Sequence, residues 1–174
     1  MKAAQKMPVA WEMDKIKNDT FNFKGYDYAY VKSEVSGLPR LKYFRDKPVT
    51  WKVPYYGYAN ATTMVDVPTS YILPQAYYKV LERMKMNGVK MVKIGQDTVI
   101  KGQAYKIIKT ESIKNPYESH FGHYNTQVEP IEVTKQFLKG DYIIPTDQRA
   151  KRYIVETLEP QATDSYFNWN FFDG

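Results

Sequence analysis

The sequence predicts an α+β fold, predominantly antiparallel β and sandwich-like, with two helices near 74–87 and 146–158. Three observations carry this expectation. Apolar and polar residues alternate with a period of two over much of the first half and again over 98–108 and 128–137, the pattern of strands with two unlike faces. Two stretches instead place apolar residues at helical spacing, and each follows a proline. Turn residues punctuate the elements at short intervals, and no Ser/Gly-rich linker divides the chain, so residues 1–174 read as a single domain.

Taken in order, Phe21, Phe23, Tyr26, Tyr28 and Tyr30 nearly alternate, which predicts a half-buried strand with a bulge where Gly25 interrupts the register. Val49-Thr50-Trp51-Lys52-Val53 and the β-branched run Thr62-Thr63-Met64-Val65-Asp66-Val67 predict two more strands. Pro74 suits the first position of a helix whose Tyr77, Val80, Leu81 and Met84 share one face, and Asn87-Gly88 closes it. Strands are expected at Val89–Val92, from Thr98 to Ile108 and from Val128 to Phe137. Thr146 is the expected N-cap of the second helix, with Ala150, Tyr153, Ile154, Thr157 and Leu158 as its apolar stripe and Pro160 as its stop. Phe167, Trp169 and Phe171 alternate near the end and predict a final strand. Tyr71-Ile72-Leu73-Pro74 and Tyr142-Ile143-Ile144-Pro145 echo one another and imply similar local architecture.

Composition limits the chemistry. With no Cys, thiol nucleophiles, iron-sulfur clusters and Cys-rich zinc modules are excluded. No His-Glu-x-x-His, Gly-x-Ser-x-Gly, phosphate-loop or dinucleotide fingerprint occurs. The two histidines, His120 and His123, are the only weak metal candidates, and Pro116 and Gly122 argue against the helix that would place both rings on one face. No apolar stretch is long enough to span a bilayer, and Met1-Lys2-Ala3-Ala4-Gln5-Lys6 is not followed by the apolar region of a signal peptide.

The formal net charge of +6 is concentrated, since the segment 76–115 holds nine Lys or Arg against three Asp or Glu. Lysines interleaved with aromatics could follow a phosphate backbone, but only one of the nine is Arg, and lysines on alternate strand positions ordinarily form a solvated face. Nucleic acid is therefore the disfavoured partner. The 16 tyrosines, 8 phenylalanines and 3 tryptophans exceed what a core of this size needs, and surplus tyrosine suits interfaces and sugar-stacking platforms. Tyr55, Tyr56 and Tyr58 are the first candidates for a binding surface, because neighbouring rings on a strand or turn cannot all face one core; Trp169 is the fourth.

Several blocks together resemble a known protein group. Phe23-Lys24-Gly25-Tyr26, the run from Ser33 to Leu41, Tyr71-Ile72-Leu73-Pro74-Gln75, Asn87-Gly88-Val89, the run from Arg152 to Ala162 and the run from Asp164 to Asp173 resemble the region that follows the catalytic domain in bacterial zinc carboxypeptidases of the carboxypeptidase A type. Such enzymes hold zinc with a His-x-x-Glu pair and a distant His, and a separate Glu activates water. None of these motifs is present, since His120 precedes Phe-Gly-His and His123 precedes Tyr-Asn-Thr, so no catalytic or zinc-binding residue carries over. The resemblance implies a non-catalytic C-terminal accessory domain of a larger secreted or periplasmic enzyme, with zinc in the catalytic domain and none in this chain. Its implied partner is that catalytic domain, and peptide or glycan is a further expected ligand. The alternative reading is a carbohydrate-binding β-module that uses its surface aromatics.

Overall fold

The computed structural model describes residues 5–173. It is an α+β structure made mostly of antiparallel strands. The elements are β1 (Lys6–Met13), β2 (Asp19–Lys32), β3 (Pro39–Tyr55), β4 (Ala59–Asp66), β5 (Ser70–Leu73), α1 (Tyr78–Met86), β6 (Val92–Lys93), β7 (Thr98–Ser112), β8 (His123–Phe137), β9 (Tyr142–Pro145) and α2 (Lys151–Leu158). They divide into two compact units, one of residues Met1–Trp11 with Ala61–Gly174 and one of Glu12–Asn60. Among the described residues the strand order is β1-β4, β2-β3, β5-β9-β6 and β7-β8, giving four small sheets.

The larger unit owes its core to the two echoing segments. They become partner strands, with Tyr71 opposite Ile144 and Leu73 opposite Tyr142. Leu73 and Ile144 pack with Val80, Leu81 and Met84 of α1, Ile154 of α2 and Tyr166. Helices, rather than the second sheet of a sandwich, therefore cover this small sheet. A second cluster joins Met7, Val9 and Val65 to Val155 and Ala162. Val80, Met84, Ile144, Ile154 and Val155 are fully buried, and each such aliphatic side chain contributes about 1.5–3 kcal/mol of transfer free energy.

Both helices start later than the sequence pattern implies. Gln75 N–H donates to Asp141 Oδ1 at 2.9 Å and Tyr77 N–H to Pro74 O at 3.1 Å, so the expected first turn is a separate turn and the helix begins at Tyr78. Its end is as expected. Gly88 has φ +73°, and bonds from Gly88 N–H to Lys85 O and from Val89 N–H to Met84 O make a Schellman cap. That cap and the bond from Lys90 N–H to Gln148 Oε1 reduce the strand expected at Val89–Val92 to β6. Thr146 is not an N-cap: its hydroxyl lies 2.6 Å from Pro68 O and 3.2 Å from Thr69 O, and Ala150 precedes the helix without a side-chain cap.

The expected final strand is a series of turns. Trp169 N–H donates to Ser165 O, Asn170 N–H to Phe167 O and Phe171 N–H to Tyr166 O, while Asn170 takes a left-handed φ of 60°. These turns send Phe167 toward His123 and Phe171 toward Tyr166, so alternate residues do not line one strand face. A long hairpin, β7–β8, also belongs to this unit, running in register from Thr98 opposite Phe137 to Ser112 opposite His123 with irregularities around Lys109.

The smaller unit is dominated by the β2–β3 ribbon. Register runs from Asp19 opposite Tyr55 to Tyr26 opposite Pro48, breaks, and resumes at Tyr28 opposite Tyr43. The expected bulge therefore lies just past Gly25. Gly25 itself pairs with Val49, and a Cβ there would meet the rings of Phe23 and Trp51, both at 3.0 Å.

Candidate functional site

Two surfaces stand out, one in each unit. In the smaller unit, strand alternation places Phe21 and Phe23 on the same face as Gly25, and Tyr28 and Tyr30 continue that row beyond the bulge. Trp51, Tyr43 and Leu41 lie opposite on β3. Phe23 and Trp51 stack at 6.1 Å with planes 10° apart, and Tyr28 meets both Tyr43 and Trp51 at 6.3 Å. A shallow groove of about 550 Å³ runs along these rings. The sequence reading of this alternation as a half-buried strand is corrected here, because Phe21 is 53%, Tyr28 52% and Tyr30 72% exposed. Within the ribbon each row of rings has only the row across from it to pack against, so both keep a face to water.

The predicted cluster beside this face is divided in its roles. Tyr55 tilts against Phe21 at 6.2 Å and is 58% exposed, and Tyr56 is also exposed. Tyr58 is committed to structure, its hydroxyl donating to Asp19 at 2.9 Å and its ring lying under Lys17 Nζ at 3.9 Å. The Asp19 carboxylate, by accepting this bond, pushes the Tyr58 phenol up from its ordinary value.

In the larger unit, the segment joining β7 to β8 and the turns after Ala162 enclose a pocket of about 210 Å³. Tyr117 and His120 face each other through reciprocal backbone bonds of 2.9 Å. Glu118 and Ser119 between them have φ of 48° and 68°, the paired left-handed conformation of a type I′ turn, which Asn and Gly ordinarily occupy. The result sets Tyr117 and His120 against Trp169, with centroids 6.3 and 5.6 Å away. Asp164, Asn168, Thr163 and His123 complete the wall.

His123 is held by a chain of contacts. Ser112 Oγ lies 2.8 Å from Nδ1, and both Asp173 carboxylate oxygens lie 3.2 Å from Nε2. With the ring proton on Nε2 and donated to the Asp173 carboxylate, Nδ1 accepts the hydrogen bond of the Ser112 hydroxyl. This is the order of groups in a serine nucleophile relay. The flanking N–H donors that could steady an oxyanion are committed, Ile113 N–H to Gly122 O and His123 N–H to Asn168 O. These contacts of His123 fasten the last turns to the hairpin, together with Asn170, whose amide donates to Phe121 O and Asp173 at 3.0 Å. His120, the other weak metal candidate, is wedged between Trp169 and Phe171. Among the described residues no group of three or more His, Cys, Asp or Glu is arranged to hold a metal ion.

A third cluster is buried. Glu159, 2% exposed, accepts the Tyr71 hydroxyl at 2.5 Å, and the Tyr105 hydroxyl of β7 bonds the same carboxylate. Burial raises the Glu159 pKa, partly offset by the two hydroxyl donors, and burial also raises both tyrosines. Two hydroxyls converge on this carboxylate near the middle of the β7–β8 hairpin.

The basic segment is partly neutralised by neighbouring acids. Lys106 stands opposite Glu129 across the ladder, and Lys109 pairs with Glu111 of the same strand at 3.3 Å. Among the described residues no helix is long and apolar enough to cross a membrane. Of the sequence candidates, Trp169, His120 and His123 come together in one unit, whereas Tyr55, Tyr56 and Tyr58 lie in the other. The ring face of β2–β3 was missed as a site, although its signal was visible in five aromatics spaced along one strand. Tyr117, Asp164 and Asn168 carried no comparable pattern. No family model, curated protein or solved structure matches this chain.

Proposed function

We propose that the chain is a non-catalytic accessory module that docks onto a catalytic domain, and that the ring face of the β2–β3 ribbon is its docking surface. The catalytic domain is that of a secreted or periplasmic zinc carboxypeptidase of the carboxypeptidase A type, to which the sequence blocks bear resemblance. Zinc belongs to that partner. One observation carries the reading: Phe21, Phe23, Tyr28, Tyr30, Leu41 and Tyr43 present their side chains on one ribbon, each between 39% and 72% exposed. Aromatic residues are enriched where protein interfaces are buried, because a ring removes a large area from water while losing little side-chain entropy. The interleaved Lys24, Lys42 and Lys52 keep the opposite face polar, which favours docking through one side.

The test mixes the purified chain with the catalytic domain of such a carboxypeptidase produced without its own copy of this region. Calorimetry should give a Kd of about 10 µM or tighter. The double substitution Tyr30→Ser and Tyr43→Ser, at two exposed positions, should weaken it by about a hundredfold. Absence of association at about 100 µM of each component would overturn the reading.

A further inference from the structure

The pocket between the β7–β8 junction and the turns after Ala162 lies in the unit that the docking face does not occupy, and its chemistry is different. Its volume of about 210 Å³ is below the roughly 300 Å³ at which pockets for drug-sized ligands begin, which limits an occupant to about one ring. Tyr117, 63% exposed, and Trp169 form a continuous apolar wall. With centroids only 6.3 Å apart and planes at 44°, they cannot clamp a ligand between them, but they offer adjoining faces to one.

The polar groups around that wall have spare capacity. Asn168 is the exception, because its amide donates to Ala162 O and Thr163 O and its Oδ1 is buried, so it shapes the wall without facing an occupant. Asp164 receives the Trp169 indole N–H on Oδ1 at 3.3 Å, and its other oxygen is bonded to nothing described. The Thr163 hydroxyl and the His120 ring add donors and acceptors at the rim. The lining contains no Lys or Arg, so nothing there would neutralise a phosphate or carboxylate. The left-handed turn at Glu118 and Ser119 is what holds Tyr117 and His120 toward Trp169, a conformation of some cost kept where side chains must be aimed.

A neutral ring with an apolar C–H face and hydroxyls at its edge meets all these conditions. We propose that this pocket binds a single pyranose residue, its C–H face on Tyr117 and Trp169 and its hydroxyls on Asp164, Thr163 and His120. The site is independent of the docking surface, so each can fail alone.

The test is an NMR titration of the full chain, following the three indole N–H signals, with that of Trp169 assigned through Trp169→Phe. The probes are the methyl glycosides of glucose, galactose, mannose and xylose, and N-acetylglucosamine. At least one should shift the Trp169 signal saturably in the millimolar range while the signals of Trp11 and Trp51 stay in place. Tyr117→Ala, at a position exposed enough to leave the fold intact, should weaken that response about tenfold. The proposal is overturned by no Trp169 shift with any probe at about 100 mM. It is equally overturned by a response that Tyr117→Ala leaves unchanged, or by saturable binding of tetramethylammonium in place of every sugar, which would make the pocket an aromatic cage for cations.

Discussion

The two long ribbons use the same backbone device for different ends. β2–β3 pairs strands of 14 and 17 residues, and β7–β8 pairs two of 15. Two-stranded ribbons are marginal alone, so each needs something beyond its ladder. In β2–β3 that support is internal, through the stacked Phe23–Trp51 pair and the rings of Tyr28 and Tyr43. In β7–β8 the cross-strand partners are largely polar or aliphatic, such as Gln103 with Glu132, Thr110 with Thr126 and Ile107 with Val128. Its support is external, at Glu159 near the middle and at the His123 contacts near the end. The rings of the first ribbon pack against one another and still keep a face to water, whereas the second ribbon is fastened by side chains from elsewhere in its own unit.

Four experiments sharpen or break this contrast. The largest effect is expected in docking, where Tyr30→Ser with Tyr43→Ser lowers affinity about a hundredfold and Lys101→Ser with Lys135→Ser on the other ribbon leaves it within about twofold. Equal losses would erase the distinction between the ribbons.

Next is the external anchor. Tyr71→Phe leaves Glu159 buried with one donor fewer and should cost about 1–3 kcal/mol in urea unfolding. Amide exchange should then quicken along β7–β8 and not along β2–β3. A uniform change in both ribbons would contradict separate support.

The internal support is probed by Gly25→Ala, whose Cβ would stand 3.0 Å from both Phe23 and Trp51. One ring must give way, with an expected loss of about 1 kcal/mol and a changed stacking signature in near-ultraviolet circular dichroism. Unchanged spectra would mean the rings are not in register contact.

The smallest effect is a pH dependence. Because burial raises the Glu159 pKa above its unfolded value, the folded state holds the proton more tightly. Glu159 therefore makes stability fall as pH rises from the unfolded pKa through the folded one, and Glu159→Gln should flatten that slope in thermal unfolding. An identical slope in the variant would assign the dependence elsewhere.

How far the sequence revealed this structure varies by element. The face of α1 was legible because Val80, Leu81 and Met84 fall at helical spacing, and its end because Asn87-Gly88 supplies the left-handed residue a cap needs. The strands at 98–108 and 128–137 were legible from alternation, while their extension to Ser112 and His123 was not, since Thr110, Asn125 and Gln127 lack an apolar pattern and the extension is held by cross-strand bonds such as Thr110 with Thr126 and Asn125 with Glu111. Thr146 misled because its hydroxyl serves carbonyls of the 68–69 segment, a partner far away in sequence. The last segment misled because aromatics two apart suit a strand and a run of turns equally well. Of the pocket, Trp169 and the two histidines were foreseen from residue type, but Asp164 and Asn168 meet Tyr117 across more than 45 positions, a distance no local pattern reports.

The break in the β2–β3 ladder has a further consequence, for aggregation. A two-stranded ribbon has two open edges, and one bearing so many exposed rings invites pairing with other copies of itself. At the break, one residue of β2, Asp27, is matched by Phe44-Arg45-Asp46-Lys47 on β3. That mismatch bends the edge and crowds it with charge, and Pro39, Pro48 and Pro54 remove three N–H donors from β3. An incoming strand would find the β3 edge interrupted, with no long, straight row of partners there. The same residues that keep the ribbon from lying flat thus let an aromatic surface stay in water without recruiting its own kind edge to edge.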